Sequence, residues 1–193
     1  MSERDVLARF EAQLDPARPE AAPGVSIIGY GEVSTVFALA ELPGHVCKRM
    51  AGFGDGAAAL HYTGLVRRYI DFLEAEGVRV VETAIEPIER PGRPPVVYLV
   101  QPQLAAVGLG NHLLRSADDA ALRACLDAVL ARIGRLLRSN RARRDGRSVT
   151  LDAQLSNWRF GPDARDAGDP LLIDVGTPFM RKDGVDEIGV ELF

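Results

Sequence analysis

Asp152 and Asn157 stand five positions apart in LDAQLSNWRF, and Asp174 closes the phrase LLIDVG two residues before Gly176. The residues around all three read as buried strand, where an unpaired carboxylate is costly. Two carboxylates and an amide oxygen make a hard oxygen set. Such a set suits Mg²⁺, which takes one or two carboxylates and fills its remaining positions with phosphate oxygens and water. The acid left over, Asp152, is then available to orient or deprotonate a hydroxyl group. A local reading of the same residues also stands: Asp152 and Asn157 make Asx turns, and Asp174 simply ends a strand.

Upstream, GYGEVSTV places Gly29, Tyr30, Gly31 and Ser34 in a turn between two strands. Glycines there allow backbone N–H groups to come close to a phosphate. The pattern is no dinucleotide fingerprint, because Ser34 occupies the third glycine position and a strand follows where a helix is required. It also lacks the Lys-Ser/Thr ending of a P-loop. A plain hairpin turn uses the same glycines. Lys48 lies in the next strand, HVCKRM, and alternates with Val46 toward one face, so that its amine points under the glycine turn. The alternative for a lysine in an apolar strand is to snorkel to solvent.

The elements that carry these residues follow from periodicity. Val6, Leu7, Phe10 and Leu14 share one face of a short helix, which Asp15-Pro16 stops; residues 1–23 form this helix and a linker. Residues 24–103 then hold five strands and one helix. The strands are expected at 25–28, 35–39, 45–50, 78–88 and 96–101. The helix carries Tyr62, Leu65, Val66, Tyr69, Phe72 and Leu73 as its apolar positions and ends at Gly77. In residues 104–193 the spacing predicts a long helix over 118–140, with Leu122, Leu126, Val129, Ile133, Leu136 and Leu137 as its buried stripe and Ser116 as its cap. The arginines of RLLRSNRARRDGR read as a solvated helix end or as a phosphate-binding patch.

Composition narrows the function classes. The chain has 193 residues, 47% hydrophobic and 26% charged, with a formal net charge of −4. That balance gives no general reason to expect nucleic-acid binding. Two cysteines and three scattered histidines suit neither a disulfide framework nor a zinc site. The first residues are charged throughout and show no apolar signal segment, and no apolar run reaches the ~20 residues of a membrane span. A cytoplasmic location without membrane association is expected.

Taken in order, a glycine-bearing β-turn, a strand lysine, a helix, two strands, a long helix, D-x-x-x-x-N and D-x-G resemble the protein-kinase-like superfamily. The likeness covers about residues 25–180. Within it the chain is similar to the aminoglycoside- and small-molecule-phosphotransferase branch, and also to an uncharacterised bacterial family sharing LDAQLSNW and a D-x-x-TP ending. The resemblance implies an α+β, two-lobed fold: a five-stranded antiparallel sheet with one helix, then a reduced, mainly helical C-terminal lobe. It implies ATP and Mg²⁺ as cofactors. Gly29, Tyr30, Gly31 and Ser34 would cover the phosphates, and Lys48 would meet the α- and β-phosphates. Gln101 to Leu104, including Gln103, would receive the adenine, Asp152 would act as catalytic acid or base, and Asn157 and Asp174 would hold the metal. The acceptor is an unknown small molecule or protein hydroxyl.

Several positions depart from the family pattern. The helix acids Asp71, Glu74 and Glu76 fall in its C-terminal half, so His61 or Tyr62 replaces the usual lysine partner or the ion pair is missing. Leu151 stands before the catalytic Asp. Nineteen residues follow Asp174. Three alternatives follow: a truncated relative, a protein partner that completes the C-terminal lobe, or a non-catalytic nucleotide-binding or interaction module.

Overall fold

The computed structural model describes residues 2–30, 34–161 and 168–188. In chain order they form α1 (Glu3–Gln13), β1 (Val25–Tyr30), β2 (Thr35–Leu39), β3 (His45–Met50), α2 (Gly56–Ala75), β4 (Arg79–Val80), β5 (Ala84–Arg90), β6 (Arg93–Pro102), α3 (Gly110–Ser116), α4 (Asp119–Ala142), β7 (Arg147–Val149), β8 (Trp158–Arg159), β9 (Leu171–Leu172), β10 (Met180–Lys182) and β11 (Val185–Asp186). The fold is α+β. The described residues divide into two compact units, one from residues 2–64 and 82–103 and the other from residues 65–81 and 104–188.

The first unit is built on a five-stranded antiparallel sheet in the order β1-β2-β3-β6-β5. α1 starts with a reciprocal cap, in which the Asp5 N–H donates to Ser2 Oγ and the Ser2 N–H donates to the Asp5 carboxylate. Its Val6 and Leu7 pack with Phe37, Leu39, Cys47, Tyr98 and Val100 in one core. Phe10 joins Phe37 and Tyr98 in an aromatic group with centroid separations of 5.2 and 6.4 Å. Burial pushes the Cys47 thiol up to about 12, which leaves it an inert core group.

The second unit combines α3, α4 and the C-terminal part of α2 with two three-stranded sheets, β11-β10-β7 and β4-β9-β8. It therefore has more strand than the mainly helical lobe expected from sequence. The run 78–88 is two strands rather than one. Arg79 and Val80 pair in parallel with Leu171 and Leu172, whereas Ala84 onward pairs with β6 in the other unit's sheet. Helix α3 was not expected at all, and its seven residues are too few to show a clear apolar period.

Helix α4 forms where its spacing predicts, but its details differ. Asp118, not Ser116, is the N-cap and accepts from the Ala121 N–H at 2.8 Å. Ser116 instead donates to the His112 carbonyl as part of α3. The buried face carries Ala121, Cys125, Val129 and Leu136, while Leu126, Leu130 and Leu137 are exposed. A reading that ranks residues by hydrophobicity passes over small Ala121 and Cys125, which turn the buried face away from the leucines.

Candidate functional site

In the first unit the register lines up the glycine turn and the lysine. Gly29 pairs with Val36, Val36 with Lys48, and Lys48 with Leu99. Residues directly opposite one another share a face. Gly29 and Lys48 are thus two strands apart in one row, about 10 Å at the usual strand spacing. Side chains alternate along β3. Cys47 enters the core with α1, and Arg49 bonds α1, so half-buried Lys48 takes the opposite face. A Cβ added at Gly29 would meet no atom within 4 Å, which leaves the backbone there approachable. Ser34 Oγ is buried with no hydrogen-bond partner among the described residues. Tyr30 pairs with Thr35 at the end of β1, and Gly31 lies outside the described residues.

Near the end of β6, the Gln101 side-chain amide donates to Thr83 Oγ1 at 3.0 Å. The Gln103 N–H donates to the Gly44 carbonyl at 2.8 Å. In the first turns of α2, His61 is exposed, whereas Tyr62 is buried against Phe53 with centroids 5.2 Å apart.

In the second unit the segment from Val149 to Asn157 is held from three directions. Asn140, near the end of α4, clamps Val149 by donating to its carbonyl at 2.7 Å and accepting from its N–H at 3.0 Å. The Tyr69 hydroxyl donates to the Thr150 carbonyl at 2.9 Å. At the start of α3, a Cβ on Gly110 would land on the Leu155 carbonyl, so only glycine permits this approach. The Asp152 carboxylate accepts from the Gln154 N–H at 3.0 Å, and the Asp174 carboxylate accepts from the Gly176 N–H at 3.0 Å. The turn at Asp152 is the Asx turn that the local reading foresaw, whereas the turn at Asp174 falls where that reading had only a strand end. Each of these bonds engages one carboxylate oxygen.

The antiparallel pairing of β8 with β9 sets Trp158 opposite Leu172, and the Ile173 N–H donates to the Asn157 carbonyl at 2.9 Å. Asn157 and Asp174 consequently flank the same end of the ladder. The Tyr69 phenol is raised above its ordinary value, first by burial and then by the negative charges of Asp174 and Asp152. Two carboxylates separated by 21 intervening residues in sequence thus act on one hydroxyl. The structure brings Asp152, Asn157 and Asp174 into one neighbourhood, with Tyr69 as a member that sequence reading had assigned to the helix core.

Among the described residues, no group of three or more His, Cys, Asp and Glu side chains forms a metal site. The Asn157–Asp174 set is different in kind. It joins an amide to a carboxylate, ligand types found at Mg²⁺ sites, where phosphate and water fill the other positions.

A further polar cluster was missed. Glu11 of α1 is buried and accepts from Arg49 at 2.7 and 2.8 Å, from Arg90 at 2.9 Å, and from the Tyr98 hydroxyl. Burial alone would raise the Glu11 carboxyl. The bonds from Arg49 and Tyr98 and the charges of Arg49 and Arg90 outweigh it and hold the group below its ordinary value. The signal was available, because Leu7, Glu11 and Leu14 recur at helical spacing and put this acid on the buried face.

A family model described as "Family of unknown function (DUF6206)" matches residues 9–192. The chain belongs to this family. No curated protein matches it. Among solved structures, a co-crystal of WbdD with a kinase inhibitor is similar at 18% identity and a TM-score of 0.41, over 79% of this chain. The chain spans 32% of that structure's length. Among the described residues of this DUF6206 member, no helix is long and apolar enough to cross a membrane.

Proposed function

We propose that this DUF6206 protein is an ATP- and Mg²⁺-dependent phosphotransferase that moves the γ-phosphate to a hydroxyl of a small molecule or protein. The observation that carries the reading is the rung that sets Asn157 beside the strand end of Asp174, with Asp152 on the segment that Tyr69 and Asn140 hold. In this reading Asn157 and Asp174 hold Mg²⁺, which would neutralise charge on the transferred phosphoryl group. Asp152 orients the acceptor hydroxyl and takes its proton. Lys48 meets the α- and β-phosphates, and the backbone at Gly29, Tyr30 and Gly31 together with the Ser34 hydroxyl covers them. Gln101 and Gln103 belong to the segment that receives the adenine. The Gln103 N–H is already donated to Gly44, so that group is not available to the base.

A second reading is a nucleotide-binding module without catalysis. The Asx turn at Asp152 favours it, because one oxygen of the proposed base is engaged by the Gln154 N–H. Titration of the protein with ATP in the presence and absence of Mg²⁺, followed by a turnover assay with Asp152→Asn, separates the two. Metal-dependent binding with turnover that Asp152→Asn abolishes supports the enzyme. Metal-dependent binding without turnover supports the module.

A further inference from the structure

Helix α4 presents an apolar stripe to solvent. Leu126, Leu130 and Leu137 are 48%, 60% and 44% exposed, and half-buried Ile133 lies between them on the same side. At 3.6 residues per turn all four fall within a strip about 60° wide. The leucines are therefore a continuous seam along the helix, and a seam of this kind on a soluble helix marks a contact surface.

The seam is self-complementary. Leu126 and Leu137 stand equally far from the point between Ala131 and Arg132, and so do Leu130 and Ile133. A two-fold axis through that point lays each apolar residue of one helix against an apolar residue of its antiparallel copy. The charges match the same arrangement. Exposed Asp119 and Asp127 lie on the N-terminal half of this side, and exposed Arg138, Arg141 and Arg144 lie on or just beyond the C-terminal half. Antiparallel packing sets Asp127 near Arg138 of the copy. A parallel copy would oppose like charges instead. Arg123, also on this side, comes opposite Arg141 of the copy, and Asp119 and Asp127, each one turn from Arg123 on its own helix, offset that meeting of like charges. Among the described residues, Asp119, Asp127, Arg138 and Arg141 make no ion pair that this arrangement would have to break.

We infer that α4 is the contact of an antiparallel, two-fold homodimer, with Leu126, Leu130, Ile133 and Leu137 as its core and Asp127–Arg138 pairs at its rim. A contact made by one helix from each copy lies at the small end of stable interfaces, about 1,000 Å² in total. The association is accordingly concentration-dependent, with a dissociation constant in the micromolar range.

Sedimentation velocity on the full chain from about 1 to about 100 µM tests this. The mass should rise from 20.9 kDa toward twice that value. Leu130→Glu should keep the protein monomeric across the range with an unchanged melting temperature, since the residue is exposed. Asp127→Arg and Arg138→Asp should each weaken association about tenfold, and the double exchange should restore it. Recovery in the double variant is expected only of a copy that presents the same pair, not of an unrelated partner. A wild-type protein that stays monomeric, a dimer unaffected by Leu130→Glu, or a double exchange that fails to recover would each overturn the inference.

Discussion

The Ile173 N–H donates to the Asn157 carbonyl at 2.9 Å, and this bond sets the Asn-bearing turn beside the strand end that carries Asp174. Two residues separated by a long loop in sequence become neighbours through one rung of a short ladder. That rung, the Asn140 clamp on Val149 and the close packing at Gly110 are the parts of the second unit that position the proposed metal and hydroxyl groups.

Asn140→Ala removes both bonds to Val149 and leaves the Val149 N–H and carbonyl seeking other partners. The loss should cost about 2–3 kcal/mol of stability by urea denaturation. Under the phosphotransferase reading it should also lower turnover more than nucleotide binding, because Asp152 lies three residues beyond the clamp. Wild-type stability in this variant would remove Asn140 from the set of positioning residues.

Gly110→Ala drives a methyl group into the Leu155 carbonyl, which is backbone and cannot rotate away. Destabilisation of at least about 2 kcal/mol is expected, in the range of an overpacked core. A thermal melt reads it directly, and a shift smaller than a degree or two would show that α3 moves freely over the loop.

Glu11 provides the pH dependence. Its carboxyl is held below its ordinary value of 4.5, so its contribution to stability is fully present above that value. The contribution is lost as the pH falls through the lowered folded value, where the folded protein at last takes up the proton. Glu11→Gln leaves Arg49 and Arg90 without their buried counter-charge and should cost about 3 kcal/mol at neutral pH. The variant should also lose stability less steeply than wild type below pH 4.5. Equal slopes in acid denaturation would count against the assignment.

Much of the first unit was legible in the sequence because its strands are long and bounded by glycine or proline. Gly44 and Gly92 indeed take positive φ, and the sheet has five strands. The strand 78–88 was misread because periodicity describes faces and not partners. Nothing local says that Arg79 and Val80 pair with Leu171 and Leu172. In the second unit, β7 to β11 have two or three residues each and are defined by their partners rather than by a pattern of their own. Asp152, Asn157 and Asp174 could be picked out by type and spacing. Tyr69 and Asn140 could not, because a tyrosine on an apolar stripe and an asparagine at a helix end have ordinary explanations until the chain is folded. Glu11 could have been recognised, since its position on the buried face of α1 follows from spacing alone.

The central claim is that Asn157 and Asp174 hold the metal of a Mg-ATP complex. Isothermal titration of wild type and Asp174→Asn with ATP, each with and without Mg²⁺, tests it most directly. Asparagine keeps the Asx turn to Gly176 and removes the charge, so circular dichroism should be unchanged. The account predicts metal-dependent binding by wild type and a loss of at least about tenfold in affinity in the variant. Equal ATP affinity in the two proteins, or wild-type binding indifferent to Mg²⁺, would contradict it.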